Sequence, residues 1–149
     1  MADKHHGKGD AFAELLFEVA ACFFRFRAAG QTLGLVNERG AGTIGFMRTL
    51  AMRGPTTVPD LARMRPTSRQ RMQQLADELA EAGLIEFIDN PLHRKSKLAR
   101  LTRKGETQYR AMLQRMRELG AALSKDLAET DMRDATSVIR HLRERLAPE

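Results

Sequence analysis

The sequence predicts a mainly α-helical fold with one small β-hairpin, and three observations carry that prediction. Apolar residues recur at three- and four-residue spacing in segments that together cover most of the 149 residues. Only Leu84-Ile85-Glu86-Phe87-Ile88-Asp89 and Leu98-Ala99-Arg100-Leu101 have strand character, with Asn90-Pro91 as a turn after the first. Hydrophobic residues make up 42% of the chain, enough to pack a core in one domain with an added helical layer.

Taken in order, Asp10 can cap a helix that continues to about Leu33. Phe12, Leu15, Leu16, Val19, Phe23 and Phe26 form its main apolar stripe, while Phe17, Ala20 and Phe24 fall away from it. More than one face is therefore apolar, and a helix covered on one side needs only one stripe. A second copy of the chain is the simplest cover for the other face. Gly30 to Gly42 reads as an irregular connection. Thr43 to Arg53 returns to helical spacing through Ile44, Met47, Leu50 and Ala51, and Gly54-Pro55 stops it.

Next come two short helices separated by a turn. Thr57 with Asp60 has the spacing of a capping box, and Pro59 stands in the first turn, where its missing N–H costs least. Arg65-Pro66 breaks the pattern. Thr67 with Gln70 then marks a second helix, which Gly83 ends. Met72, Leu75, Ala76 and Leu79 give this helix its apolar face. Its leading end carries Thr67, Ser68, Arg69, Gln70, Arg71, Gln73 and Gln74 without an acid, whereas Asp77, Glu78 and Glu81 lie in the trailing half. Arg pairs bidentately with guanine and Gln with adenine in the major groove of DNA, so this helix has the chemistry of a base reader. An ordinary amphipathic surface helix is the alternative. The hairpin that follows is basic, with Arg94, Lys95, Lys97, Arg100, Arg103 and Lys104 and no acid from Asn90 to Gly105. A helix-turn-helix with a basic hairpin beside it is the layout of a winged helix-turn-helix.

The residues Gly83-Leu84-Ile85, Asn90-Pro91-Leu92-His93-Arg94-Lys95 and Leu101-Thr102-Arg103-Lys104-Gly105 resemble the winged-helix core of the multiple-antibiotic-resistance regulator (MarR) family. The order of elements on either side fits the same family across nearly the whole chain. The resemblance implies a homodimeric, sequence-specific DNA-binding transcription regulator, in most cases a repressor, on an inverted-repeat operator. It also implies release by a small aromatic or anionic ligand bound between the dimer layer and the DNA module, and a minor-groove contact for Arg94. The family's wing tip reads Asp-Arg-Arg, and its Asp braces the arginine; this chain has His93-Arg94-Lys95 instead.

After the hairpin, Thr102 starts a long helix to about Leu127 with a stripe of Tyr109, Met112, Leu113, Met116, Leu119, Leu123 and Leu127. A last helix opens at Thr130-Asp131 and carries Met132, Ala135, Val138, Ile139, Leu142 and Leu146. The first helix and these two hold more apolar surface than the middle of the chain can cover. The expected division is thus a helical dimerisation region from 10–33 and 103–147 and a DNA-binding region from 43–102.

Net charge of +6 and a pI of about 10.1 favour a polyanion as partner, here double-stranded DNA. The charge gathers on one module rather than along one amphipathic stripe, against a membrane surface as target. No apolar run approaches the ~20 residues that span a bilayer, and Met1 to Gly9 shows no signal-peptide pattern. With a single cysteine, a cytoplasmic location is the default. His5, His6, His93 and His141 stand at no metal-ligand spacing, and no phosphate loop, nucleophile elbow or carboxylate pair stands out, so neither an enzyme nor a cofactor is expected. Helix placement offers Phe23, Phe26, Arg27, Met47 and Tyr109 as an effector pocket, against the reading that they are core and that Arg27 pairs with a carboxylate. Cys22, among Ala21, Phe23 and Phe24, reads as a small buried hydrophobe. The rival reading is a redox sensor, since some members of the resembled family sense peroxides through a cysteine near this point. The rival class as a whole is a protein-interaction adaptor whose basic wing docks on an acidic protein.

Overall fold

The computed structural model describes residues 7–32, 42–65 and 67–146. The elements run α1 (Lys8–Thr32), α2 (Thr43–Arg53), β1 (Thr56–Thr57), α3 (Val58–Arg63), α4 (Arg69–Glu81), β2 (Ile85–Ile88), β3 (Leu98–Leu101), α5 (Arg103–Leu123) and α6 (Glu129–Arg145). The architecture is mainly helical with a small antiparallel sheet, as expected of a winged helix-turn-helix. Most of the expected connection from Gly30 to Gly42, the end of the first helix at Leu33, and His5, His6 and Pro66 lie outside the described residues.

The sheet has three strands in the order β1-β3-β2. The hairpin pairs Ile85 with Leu101 and Phe87 with Ala99, and β1 adds Thr56 opposite Ala99 on the other edge. That third strand has no periodicity to reveal it, being two threonines after Pro55, the second of which is also the cap of α3. Gly54 makes it reachable: at φ 79° it turns the chain out of α2 while its N–H still closes the last turn on Leu50 O.

Residues 1–112 and 113–149 form two compact units. The core of the first is built by Phe46, Met47 and Leu50 of α2, Val58, Leu61 and Ala62 of α3, and Met72, Leu75, Ala76 and Leu79 of α4. Ile85 and Ala99 complete it from the sheet. Phe46, Met47 and Leu61 are fully buried, each worth about 1.5–3 kcal/mol relative to exposure. α1 contributes little to this core: Gly30 is its only buried residue, and Phe17, Phe23 and Phe24 are 76, 58 and 66% exposed. The second unit holds the end of α5 and all of α6, and none of the α6 side chains is buried.

Three helix boundaries differ from expectation. α1 begins at Lys8, so Asp10 lies inside the first turn, where its carboxylate accepts the Gly7 N–H at 3.2 Å. α5 stops at Leu123 rather than Leu127, since Ser124 and Leu127 close a turn by a 3.1 Å backbone bond instead of continuing the helix. α6 starts at Glu129, behind Ala128, so Thr130 is no cap. Glu129 and Asp131 in its first turn favour the start electrostatically, without a side-chain cap.

Candidate nucleic-acid interface

The helix-turn-helix is assembled by local polar bonds that the sequence specifies. Thr57 caps α3: its Oγ1 accepts the Asp60 N–H at 3.2 Å and donates to Asp60 Oδ2 at 2.5 Å. Asp60 also pairs with Arg63. The Thr57 hydrogen bond, followed by the Arg63 contact, holds the Asp60 carboxyl below its ordinary value of 3.8, and His93 adds to the same pull.

The cap of α4 stands one residue later than expected. Ser68, not Thr67, is the N-cap, and its Oγ accepts the Arg71 N–H at 3.2 Å. The Thr67 N–H is taken up in the turn by Arg65 O at 2.6 Å. At the other end Gly83 takes φ 69°, donating to Ala80 O at 2.9 Å while Leu84 donates to Leu79 O at 2.8 Å. This pair of bonds is a Schellman motif. Lys104 Nζ donates to Ala82 O at 2.7 Å, a cation at the negative end of the helix.

Met72, Leu75, Ala76 and Leu79 are buried as their spacing requires. The remaining face presents Ser68, Arg69, Gln70, Arg71, Gln73 and Gln74 exposed, with Thr67 half-buried before them. Gln73 Nε2 donates to Asp77 Oδ1 at 2.8 Å, so this side chain is held along its own helix. Among the described residues no ion pair engages Arg69 or Arg71.

In the wing, Arg100 of β3 pairs with Glu86 of β2 across the ladder at 2.8 Å; with both about half exposed, this bond fixes register more than it stabilises. The turn is ordered by Asn90, buried at the end of β2. Its Oδ1 accepts the Leu92 N–H at 3.0 Å and its carbonyl accepts His93 N–H at 3.2 Å. His93 O then accepts Ser96 N–H at 3.0 Å. A carboxylate brace for Arg94 is absent among the described residues, and Asn90 shapes the base of the wing tip instead. Arg94, Lys95 and Lys97 are all exposed.

The residues offered as an effector pocket are not brought together. Met47 is fully buried in the core, while Phe23, Phe26 and Arg27 lie exposed on α1. Tyr109 alone lines a cleft, of about 480 Å³, with Leu50, Ala51, Arg100, Glu106 and Arg110. Phe23 stacks edge-on against Phe24, its neighbour in the chain, at 5.7 Å between ring centres. Cys22, expected to be buried, is exposed, because the helix that carries it is almost entirely uncovered in the single chain. No metal-holding group of His, Cys, Asp and Glu occurs among the described residues, and no described helix is long and apolar enough to cross a membrane.

One basic group in this module has no periodic signal in the sequence. Arg65, in the turn between α3 and α4, lays its guanidinium over the first turn of α2. Burial lowers its pKa and the nearby Arg48 lowers it further. A glycine pair at the start of α2, Gly42 and Gly45, is the only hint that something passes close there.

The sequence profile of the MarR family matches residues 43–96, which are α2, the helix-turn-helix and the wing to its tip. Among solved structures, a MarR family transcription regulator is similar at 22% identity and TM-score 0.75, covering 94% of this chain and 93% of that one. The transcriptional regulator BldR from Sulfolobus solfataricus is similar at 15% identity and TM-score 0.77, over 94% of this chain and 99% of its own. At these identities the likeness is one of fold. In sequence, the chain is 41% identical over 59 residues to the uncharacterized Mycobacterium tuberculosis protein Rv2011c. That match takes in 40% of this chain and 41% of the relative, so the chain spans about two fifths of the length of the curated relatives it matches.

Proposed function

We propose that this chain, whose residues 43–96 match the sequence profile of the MarR family, is a transcription regulator of that family that binds double-stranded DNA as a homodimer and represses from an inverted-repeat operator. The observation that carries the reading is the bare, acid-free leading face of α4 on the same module as an acid-free wing tip. Arg69, Gln70, Arg71, Gln73 and Gln74 supply groups that read base edges, and Arg94, Lys95 and Lys97 supply phosphate and groove contacts. Binding rather than bond chemistry is the activity, and a cytoplasmic site of action accords with it.

The dimer reading rests on α1 and α6, each taken alone. Phe12, Leu16, Val19, Phe23 and Phe26 repeat at alternating four- and three-residue steps on α1 and are all exposed. Met132, Val138 and Ile139 are exposed on α6, as is Leu146 at its C-cap. So much uncovered hydrocarbon on amphipathic helices is the mark of a subunit interface. The division into a dimerisation region, 10–33 with 103–147, and a DNA-binding region, 43–102, follows from it. Release by a small aromatic or anionic effector belongs to the same proposal, with Tyr109, Arg100 and Arg110 around the 480 Å³ cleft replacing the pocket expected from helix placement.

The test is a competition binding assay. Retention of a selected operator in the presence of excess unrelated DNA supports a sequence-reading regulator. Binding that unrelated DNA abolishes at equal mass contradicts it and favours an adaptor with a basic surface.

A further inference from the structure

Arg65 is placed where a cation is least welcome. Its guanidinium lies so close over α2 that a Cβ on Gly45 would stand 1.8 Å from Nη2 and 2.5 Å from Cζ, and one on Gly42 would stand 3.4 Å from Nη1. This is the N-terminal end of an eleven-residue helix with no side-chain cap, where unsatisfied N–H groups already make the potential positive. Arg48 adds a second positive charge nearby. The side chain is partly withdrawn from water, yet no carboxylate pairs with it and none of its donors meets an acceptor among the described residues. A half-buried guanidinium laid on a helix N-terminus without an anion is an unfavourable arrangement on its own. One tetrahedral oxyanion would neutralise both at once.

We infer that Arg65, seated over Gly42 and Gly45, is a phosphate-holding residue that clamps one backbone phosphate of the DNA. The inference rests on the DNA-binding reading above and adds a contact on the α2 side of the module. Arg65 stands four residues before Arg69 and its chain leads directly into α4, so a phosphate held there fixes how the base-reading helix enters the groove. Gly45 is part of the site, since any side chain there displaces the guanidinium.

The experiment measures operator affinity of the full chain, Arg65→Ala and Gly45→Ala at several salt concentrations, on the selected operator and on its single-base variants. Arg65→Ala should weaken every sequence evenly, about tenfold, and reduce the slope of log affinity against log salt by about one for each Arg65 engaged. Gly45→Ala should weaken binding in the same even way, because the three atoms nearest its methyl all belong to the flexible Arg65 head. Neither variant should lower the melting temperature, since one loses a poorly neutralised charge and the other gains helix preference; a merely structural arginine would lower it in Arg65→Ala. Affinity and salt slope unchanged in Arg65→Ala, while the unaltered chain binds its operator, overturn the inference and leave the regulator reading intact. Loss of preference at one base position overturns it too, making Arg65 a base reader. Inorganic phosphate that raises the melting temperature of the unaltered chain but not of Arg65→Ala, with DNA affinity equal in both, assigns the site to a free anion instead and overturns the DNA clamp. An unaltered chain that binds no DNA with preference sinks the regulator reading itself, and the clamp with it.

Discussion

Replacing Gly105 by Ala should loosen the joint between the wing and α5. Gly105 is buried in the first turn of α5, and a Cβ there would stand 1.9 Å from Leu84 O and 2.9 Å from Leu84 C. These are backbone atoms, so no rotamer change relieves the clash. The same oxygen accepts the Thr102 N–H at 3.0 Å, while Thr102 Oγ1 donates to Gly83 O at 2.7 Å and accepts the Gly105 N–H at 3.0 Å. Bringing the new contact out to ordinary van der Waals distance moves the helix start by more than ~1 Å and breaks part of this bonding. Overpacking costs ~1–3 kcal/mol and each lost hydrogen bond ~1 kcal/mol, against a gain of ~1 kcal/mol in helix preference. The net loss is about 3 kcal/mol, or roughly 6–12 °C in melting temperature for a chain of this length. Thermal and urea unfolding at one fixed protein concentration measure it, with Gly120→Ala as the control. Gly120 lies on the same helix with nothing within 4 Å of its added Cβ, and Ala should be neutral or stabilising there. A Gly105→Ala protein that melts within a degree or two of the parent refutes the packing argument.

Other expectations follow from the same coordinates. Asp60 titrates below 3.8 in the folded chain, so its contribution is complete above that value and is lost as pH falls through the folded pKa; Asp60→Asn should flatten the acid limb of a stability–pH curve below about pH 4. Arg69→Ala or Arg71→Ala should cost about 1–3 kcal/mol at one operator position, whereas Arg94→Ala should weaken all sites more evenly and lessen salt dependence, as seen across single-base variants. Loss of base preference in Arg94→Ala alone would move the reading head to the wing. Val19→Glu, at the centre of the α1 stripe, should raise the dimer dissociation constant by ~100-fold, from ~1.5 kcal/mol of lost burial in each of two copies; sedimentation equilibrium reports it, and an unchanged dimer places the interface elsewhere. With its thiol exposed, Cys22→Ser should change stability by no more than ~0.5 kcal/mol, and peroxide should leave DNA binding unaltered; peroxide release abolished by the Ser variant would make redox sensing the mechanism.

Features set by near neighbours in the chain were legible before any coordinates. The Thr57–Asp60 cap, the Met72/Leu75/Ala76/Leu79 face, the Gly83 stop and the hairpin arms depend on residues a few positions apart, and each stands where its pattern puts it. Thr67 and Ser68 both suit a cap, and only the bond from Arg71 N–H to Ser68 Oγ in the folded chain decides between them. β1 is too short for any period. The residues offered as an effector pocket are not gathered within the single chain for a different reason: helical spacing says which residues share a face but not what the face meets. Met47 faces the core and Phe23 and Phe26 face outward, so only Tyr109 reaches a cleft. Cys22 is exposed in the single chain on the same ground, apolar neighbours in sequence being no guarantee of a covered helix. Arg65 was unreadable because its meaning lies in two glycines twenty or more residues upstream.

Selection of bound fragments from random DNA by the unaltered chain, followed by counting protomers on the recovered site, bears most directly on the regulator. Two protomers on an inverted repeat with half-site centres ~10 base pairs apart, one turn of DNA, is the expected result. Recovery of no common sequence, or of a single half-site bound by one protomer at full affinity, would contradict a dimeric operator-reading protein.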